Sequence, residues 1–516
     1  MLRQLRENIV NDLPASVVVF LVALPLCLGI ALASGAPLAS GLIAGAVGGI
    51  VAGFLSQSQL AVSGPAAGLT TIVLASIQDL GSFQAFLACV VLAGLLQIGL
   101  GFARAGVIGH FFPNSVIKGM LAAIGLILIL KQIPHALGYD ADYEGDESFV
   151  QPDGQNTFTE ILQAIQNPTS GAIIISLISL FIILLWETPR VKRQSWAKYV
   201  SGALVVVMVG VVMNQVFVSW YPHLSIQDTH LVNLPDFSAT SISSILTFPD
   251  FAQLFSQKAL IVAVTLAMVA SLESLLSVEA TDRLDPYKRI TPLSHELKAQ
   301  GVANMVSGLL GGLPVTAVIV RSTANIAAGA KSKWSAIFHG FILIIVVFSF
   351  PHVLRLIPLA CLAGILIMVG YKLTSPSMYL DMWKRGRDQF LPFVVTIVAI
   401  LLTDLLVGIF IGILVALYFV LKTNFHSAVV LVNDDDQYLL KFTRDVSFLN
   451  KAALRRSLEK IPDNARIIID GSRSHFIDAD VVETIQDFMK TAETKNIEVE
   501  LKRNKHATHP MFRESE

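Results

Sequence analysis

Uninterrupted apolar runs of roughly 16 to 22 residues recur through the first 423 positions, beginning with "ASVVVFLVALPLCLGIALASG". A helix of that length crosses a hydrocarbon core about 30 Å thick. The chain is therefore a polytopic α-helical membrane protein. The composition agrees, with 54% hydrophobic and only 15% charged residues, where a soluble domain carries about a quarter charged. A net charge of −1 over 516 residues argues for no particular charged partner, and none of nucleic acid is expected. Cys27, Cys89 and Cys361 fall far apart in apolar runs, so neither a disulfide nor a metal site is expected of them. The first run follows "MLRQLRENIVNDLP" without a small-residue cleavage site, and reads as a first span, not a removable leader.

Spans are expected near 14–33, 36–55, 62–78, 83–102, 115–131, 171–187 and 199–217. A second set is expected near 258–277, 294–312, 315–329, 333–350, 352–371, 389–404 and 405–423. That is about fourteen segments in a seven-plus-seven arrangement. An odd number per group makes the second half (about 258–423) enter the membrane upside down relative to the first (about 10–217), as in inverted-repeat transporters. Lysine and arginine test this order. With the N-terminus inside, the inner segments hold Arg3, Arg6, Arg104, Lys118, Arg190, Lys192, Arg193, Lys198, Arg283, Lys288, Arg289, Lys331, Lys333, Lys384, Arg385, Arg387 and Lys422. The outer loop "GYDADYEGDESFVQPDG" is acidic, and "SWYPHLSIQDTHLVNLPDF" has neither basic residue. Both termini are expected in the cytoplasm, and the protein in the inner (cytoplasmic) membrane.

The domain boundaries follow from composition: a membrane domain over 1–425, a small soluble α/β domain over 432–505 and a loose polar tail over 506–516. Within the soluble domain "YLLKF", "ARIIID" and "NIEVELK" read as strands, and "NKAALRRSLEKI" and "DADVVETIQDFMKTAE" as helices.

Two spans break their own backbone. "AVSGPAAGLT" (61–70) places Gly64 and Pro65 inside an apolar run, and "GGLPVTAVIVRSTANIAAG" (311–329) repeats the device with Gly311, Gly312 and Pro314. Irregular backbone at membrane depth survives only where it lines a protein cavity. A helix starting at Pro65 or Ala66 would aim its free N–H groups into the protein as an anion site made of backbone. Matching interruptions in two repeats point to the substrate site. In the eighth span, "VAVTLAMVASLESLLSVEATDRLD", Glu273 lies deep in an apolar run, with Ser277 one turn on along the same face. Such a carboxylate can hold Na⁺, exchange a proton or set the cavity's field. Arg321 either attracts the anion or serves as an ion-paired or snorkelling residue of the inner side. Glu279 and Asp282 are expected to be solvated or paired with Arg283, Lys131 to be interfacial, and His110 and His339 to be satisfied packing residues.

These residues carry a family resemblance. "NDLPASVVVFLVALPLCLGIALASG", "VSGPAAGLT", "ASLESLLSVEATD", "HELKAQGVANMVSGLLGGLP" and "VRSTANIAAGAKS", in this order and spacing, resemble the SulP anion transporters, bacterial relatives of the animal solute-carrier anion exchangers and of prestin. The segment after the spans resembles their C-terminal STAS domain. The resemblance implies core and gate domains moving as an elevator, usually in a homodimer. It implies an anion site at Pro65, Ala66, Ala67, Gly68 and Thr70 of span three and at Val318, Ile319, Val320 and Arg321 of span ten. Cation or proton coupling would fall to Glu273 and Ser277, where the Na⁺-coupled bicarbonate branch has aspartate and threonine. In related STAS domains a serine after the central strand can be phosphorylated, and Ser472 and Ser474 stand near that turn.

No nucleotide motif is present, so the expected function is secondary active transport of a small inorganic anion, sulfate or bicarbonate, and not an enzymatic reaction. The alternatives are a passive anion channel or exchanger, a nucleobase or dicarboxylate transporter of the same fold, and a scaffold acting through its tail. A cytoplasmic regulatory partner is expected at the STAS domain.

Overall fold

The computed structural model describes the chain except residues 1, 141–155, 193, 195–199, 233–245, 255, 435–436, 505–508 and 514–516. Most of the acidic outer loop, the end of the second outer loop, and Arg193 and Lys198 therefore lie outside the described residues. The chain divides into two units, Met1–Ile413 and Leu414–Glu516.

The first seven membrane helices are α1 (Leu2–Ala33), α2 (Leu38–Leu55), α3 (Ala67–Leu80), α4 (Phe83–Phe102), α5 (Asn114–Leu137), α6 (Ser170–Glu187) and α7 (Gly202–Trp220). The second seven are α8 (Gln257–Leu284), α9 (Leu293–Leu310), α10 (Ile319–Ala327), α11 (Trp334–Ser349), α12 (Leu359–Leu373), α13 (Arg387–Leu402) and α14 (Leu405–Ser427). Helices α3 and α10 are short because each span begins as a three-residue strand, β1 (Ser63–Pro65) and β2 (Val315–Ala317). Serine side chains cap α4, α7 and α8 by accepting from Ala85, Leu204 and Ala259 N–H, which satisfies donors that the membrane cannot.

Helices α1–α4 and α8–α11 pack mainly on one another, as do α5, α6, α7, α12 and α13. Small residues permit the closest approaches. A Cβ on Gly94 of α4 would stand 2.5 Å from the Gly301 carbonyl of α9, and one on Gly125 of α5 would stand 2.6 Å from the Gly370 carbonyl of α12. A cavity of about 340 Å³ lies between the two helix groups, with Asn11, Val18 and Ala324 on one wall and Trp186, Ile365 and Lys372 on the other.

Three expectations change here. Lys131 is buried, its ammonium 3.6 Å from the Glu160 carboxylate, because a helix at Thr157–Gln166 folds over the end of α5. Asp282 is half-buried and not paired with Arg283: it accepts from the Thr291 N–H and hydroxyl, while Glu279 takes Arg283 at 2.8 Å. His339 is fully buried and, among the described residues, neither ring nitrogen has a hydrogen-bond partner, so it packs without being satisfied. The side chain of His110 lies outside the described residues.

The second unit holds a four-stranded sheet ordered β3 (Val429–Asp434), β4 (Gln437–Phe442), β5 (Arg466–Asp470) and β6 (Glu498–Lys502), with helices α15 (Lys451–Leu458) and α16 (Ala479–Thr494). β3 pairs antiparallel with β4, and the other two pairs are parallel. β3 sits on an edge with an exposed outer half, so its periodicity is weak. The tail is not uniformly loose: Phe512 is fully buried, its ring 6.0 Å from that of Phe442 and packed on Gly471. Ser474 is buried and donates to the Arg444 carbonyl, which removes it as an accessible acceptor of phosphate, whereas Ser472 is exposed and donates to Asp470.

Candidate functional site

The two interrupted spans meet. β1 and β2 pair antiparallel with Ser63 opposite Ala317, Gly64 opposite Thr316 and Pro65 opposite Val315. Antiparallel pairing makes α3 and α10 leave the ribbon from opposite ends. Their N-termini thus face one another across three residues of strand, about 10 Å. Neither is capped by a side chain: Ala66 precedes the 3₁₀ turn opening α3, and Val318 precedes α10. Uncapped first-turn N–H groups carry the positive end of the helix dipole.

Pro65 belongs to the strand and not to the first helical turn, and Pro314 precedes β2. A proline has no N–H to contribute, so it is tolerated at the end of a two-stranded ribbon. Ala67, Gly68 and Val318 are half-buried at the two N-termini, whereas Ala66, Ile319 and Val320 are buried. Thr70 donates its hydroxyl to the Ala67 carbonyl at 2.8 Å, so that proton is already engaged. Glu273 comes from α8 against the first turn of α3: a Cβ on Gly68 would lie 3.2 Å from its Oε1. Ser277 is buried one turn further on, where its carbonyl accepts from Thr281.

Arg321 is fully buried on the first turn of α10. Its guanidinium lies against β1: Nη2 is 3.3 Å from Cys27 Sγ and 3.5 Å from the Pro65 carbonyl, and Nη1 would be 2.0 Å from a Cβ on Gly64. Among the described residues Nε and Nη1 have no hydrogen-bond partner, and no carboxylate pairs with the guanidinium. Full burial excludes snorkelling. Cys27 does more than pack, since it accepts from this guanidinium. An arginine without a counter-ion places a whole positive charge behind a ribbon whose two ends are already electropositive.

Sequence reasoning missed what holds the ribbon. α9 carries Gln300, Asn304 and Ser307, all buried, on one face at helical spacing. Asn304 Oδ1 accepts from Val315 N–H at 2.6 Å and its Nδ2 donates to the Val315 carbonyl at 2.9 Å, replacing a third strand. Nδ2 also donates to Gln97 of α4. Gln300 donates to Ser63 Oγ at 2.7 Å, and Ser307 donates to the Leu313 carbonyl. On the other edge Ser322 Oγ accepts from Val62 N–H and Asn325 donates to the Leu60 carbonyl. The signal was legible: amides four residues apart in an apolar helix are rare unless they bond to something internal.

Comparison with known proteins places this architecture. The family model described as the sulfate permease family matches residues 9–399, and the STAS domain model matches 428–516. The bicarbonate transporter BicA of Picosynechococcus sp. is 26% identical over 422 residues, covering 80% of this chain and 70% of that protein. The sodium-independent sulfate anion transporter of Bos taurus is 25% identical over 517 residues, covering 94% and 82%. Among solved structures, the murine solute carrier 26 family member A9 anion transporter in the inward-facing state superposes with a TM-score of 0.68 at 16% identity, covering 99% of this chain and 88% of that one. The transmembrane domain of a cyanobacterial BicA gives a TM-score of 0.56 at 24% identity, covering 81% and 98%. With paired half-helices and a STAS unit both in place, the chain belongs to the sulfate permease family of multi-pass membrane transporters.

Proposed function

We propose that this chain is a secondary active transporter of a small inorganic anion, sulfate or bicarbonate, in the cytoplasmic membrane, with both termini inside. The observation that carries the reading is the pair of uncapped half-helix N-termini facing across β1 and β2 with the uncompensated Arg321 behind them. Such a place favours an anion without any side chain having to touch it. The binding positions in this reading are Pro65, Ala66, Ala67, Gly68 and Thr70 on one arm, and Val318, Ile319, Val320 and Arg321 on the other. Relatives that move sulfate and bicarbonate support the substrate class.

Coupling runs through Glu273 and Ser277. A carboxylate and a hydroxyl one turn apart suit a hard cation such as Na⁺, with carbonyl oxygens completing the shell, and the same carboxylate suits a proton. The cavity between the two helix groups favours an elevator motion, in which the group holding the ribbon slides against α5–α7 and α12–α13 of a homodimer. The STAS unit is the regulatory handle for a cytoplasmic partner.

The test is uptake of radiolabelled sulfate and bicarbonate into proteoliposomes under imposed Na⁺ or pH gradients. Concentrative uptake of one anion, lost in Glu273→Gln while downhill flux persists, supports active transport. Downhill flux alone in the wild type assigns a passive exchanger or channel instead.

A further inference from the structure

Glu296, in the first turn of α9, is a buried carboxyl that the anion site leaves unused. It is fully inaccessible. Its Oε2 accepts from Ser56 Oγ at 2.5 Å, and its Oε1 accepts from Gln300 Nε2 at 2.8 Å. The second hydrogen of that same amide reaches Ser63 Oγ at 2.7 Å, the first residue of β1. One carboxyl is thus tied through a single side-chain amide to the strand that carries Pro65. At its other oxygen stands Ser56, at the end of α2 between the exposed Leu55 and Gln57, on the side that the basic residues assign to the cytoplasm.

The charged and titratable groups facing Glu296 are His295 on its own helix, Lys333 at the start of α11 and Asp282 near the end of α8. Each is engaged elsewhere. Lys333 donates to the Phe54 and Ser56 carbonyls at 2.9 and 3.0 Å, His295 contacts the Leu55 carbonyl at 3.0 Å, and Asp282 accepts twice from Thr291. Among the described residues Glu296 therefore has hydrogen-bond donors and no salt-bridge partner. Such a carboxyl can accept from these donors as an anion or, once protonated, donate to a neighbouring acceptor.

We propose that Glu296 is a proton-carrying positioning residue of the transport cycle, releasing its proton to the inner face through Ser56 and sensed at β1 through Gln300 and Ser63. The proposal rests on the transport reading above and places its proton on Glu296, leaving Glu273 and Ser277 to Na⁺ or to the field of the anion site. Loading in the outward-facing arrangement breaks an O–H bond of hydronium and forms one on Glu296, leaving water; release at the inner surface breaks that bond and re-forms hydronium, so one proton crosses per cycle. The ionised carboxylate demands the N–H of Gln300, which is the arrangement seen. A protonated carboxyl donates instead, and the group suited to receive it is Gln300 Oε1, which is buried and has no partner among the described residues. Turning the amide over then offers Ser63 an acceptor in place of a donor and reverses its hydroxyl at the ribbon.

The test uses full-length protein in proteoliposomes with labelled sulfate and, separately, labelled bicarbonate. Two readouts are taken: counterflow at equal pH, and accumulation driven by an inward proton gradient. A gradient of about one pH unit drives up to about ten-fold accumulation for one proton per anion. Glu296→Gln should keep counterflow and lose the response to the gradient, and Glu296→Asp should restore part of it. Ser56→Ala retains the acid but removes a donor to its anion, so the pH midpoint of uptake should rise by about one unit. If Glu296→Gln also loses counterflow, the Ser56→Ala midpoint decides. An unmoved midpoint, or a gradient response retained in Glu296→Gln, makes Glu296 a structural pin and overturns the proposal. A wild type that moves neither anion overturns the transport reading and this proposal with it.

Discussion

The two arms of the ribbon occupy equivalent places in the two repeats and are built differently. The β1–α3 arm turns through 3₁₀ geometry with Ala67 and Gly68 half-buried, so it contributes space and bare backbone. The β2–α10 arm goes straight into α-helix, buries Ile319 and Val320, and sends Arg321 back across the ribbon to lie on Gly64. One arm supplies room and the other supplies charge. In the proposed anion site neither would suffice alone: helix termini in a spacious pocket are weak fields, and an arginine without room would attract an anion that cannot enter. The glycines of the first arm exist partly for the second, since Gly64 vacates the volume that the guanidinium fills.

The comparison breaks most severely if the charge is removed. Arg321→Gln keeps length and hydrogen bonding but deletes the charge; uptake should fall by about 30-fold or more, ~2 kcal/mol, with the apparent affinity for the anion weakened. Equal uptake in that variant would show that the dipoles suffice. Next comes the space reserved for it. A methyl on Gly64 would sit 2.0 Å from Nη1, whereas one on Gly68 would sit 3.2 Å from Glu273 Oε1. Gly64→Ala should therefore reduce uptake about ten-fold or more, and Gly68→Ala only a few-fold. A reversed order would mean that room at α3 outweighs the seat of Arg321.

Asn304→Ala strips β2 of both side-chain bonds to Val315. It should destabilise the protein by about 1–3 kcal/mol per orphaned group, read as a lower melting temperature in detergent, with a smaller loss of uptake than Arg321→Gln. The smallest effect is expected outside the membrane helices. Burial opposes ionisation of Asp470, but the hydroxyl and N–H of Ser472 outweigh it and hold the carboxyl below its usual range. A lowered acid contributes stability above the unfolded carboxylate value, and that contribution is lost as pH falls through the folded one. Stability of the STAS unit should thus decline below about pH 4, more steeply than in Asp470→Asn, while uptake at neutral pH stays unchanged by that substitution.

Much of this was written in local pattern. Apolar length set the spans, lysine and arginine gave an expected orientation, and Gly-Pro interruptions in an apolar run marked the two arms, because hydrocarbon punishes each unpaired backbone group wherever it occurs. The amide ladder of α9 was also present as spacing, in Gln300 and Asn304, but its meaning depended on β2 lying beside it. The start of α3 moved from Pro65 or Ala66 to Ala67 because the ribbon claims Pro65, and no local rule foretells a strand of three residues. Edge strand β3, exposed on its outer half, and Phe512, a lone aromatic in a polar tail, gave too little periodicity to be placed.

By itself the sequence determined that this chain crosses a membrane many times, in two oppositely directed halves, with two broken segments and a buried acid. Only the tertiary structure decided that the breaks pair residue against residue and that Arg321 goes uncompensated against Gly64. It alone tied Glu296 to β1 through one amide. The reason is physical: transfer of a segment into lipid is a sum over its own residues, whereas the field at a buried point depends on groups distant in sequence that the fold alone brings together.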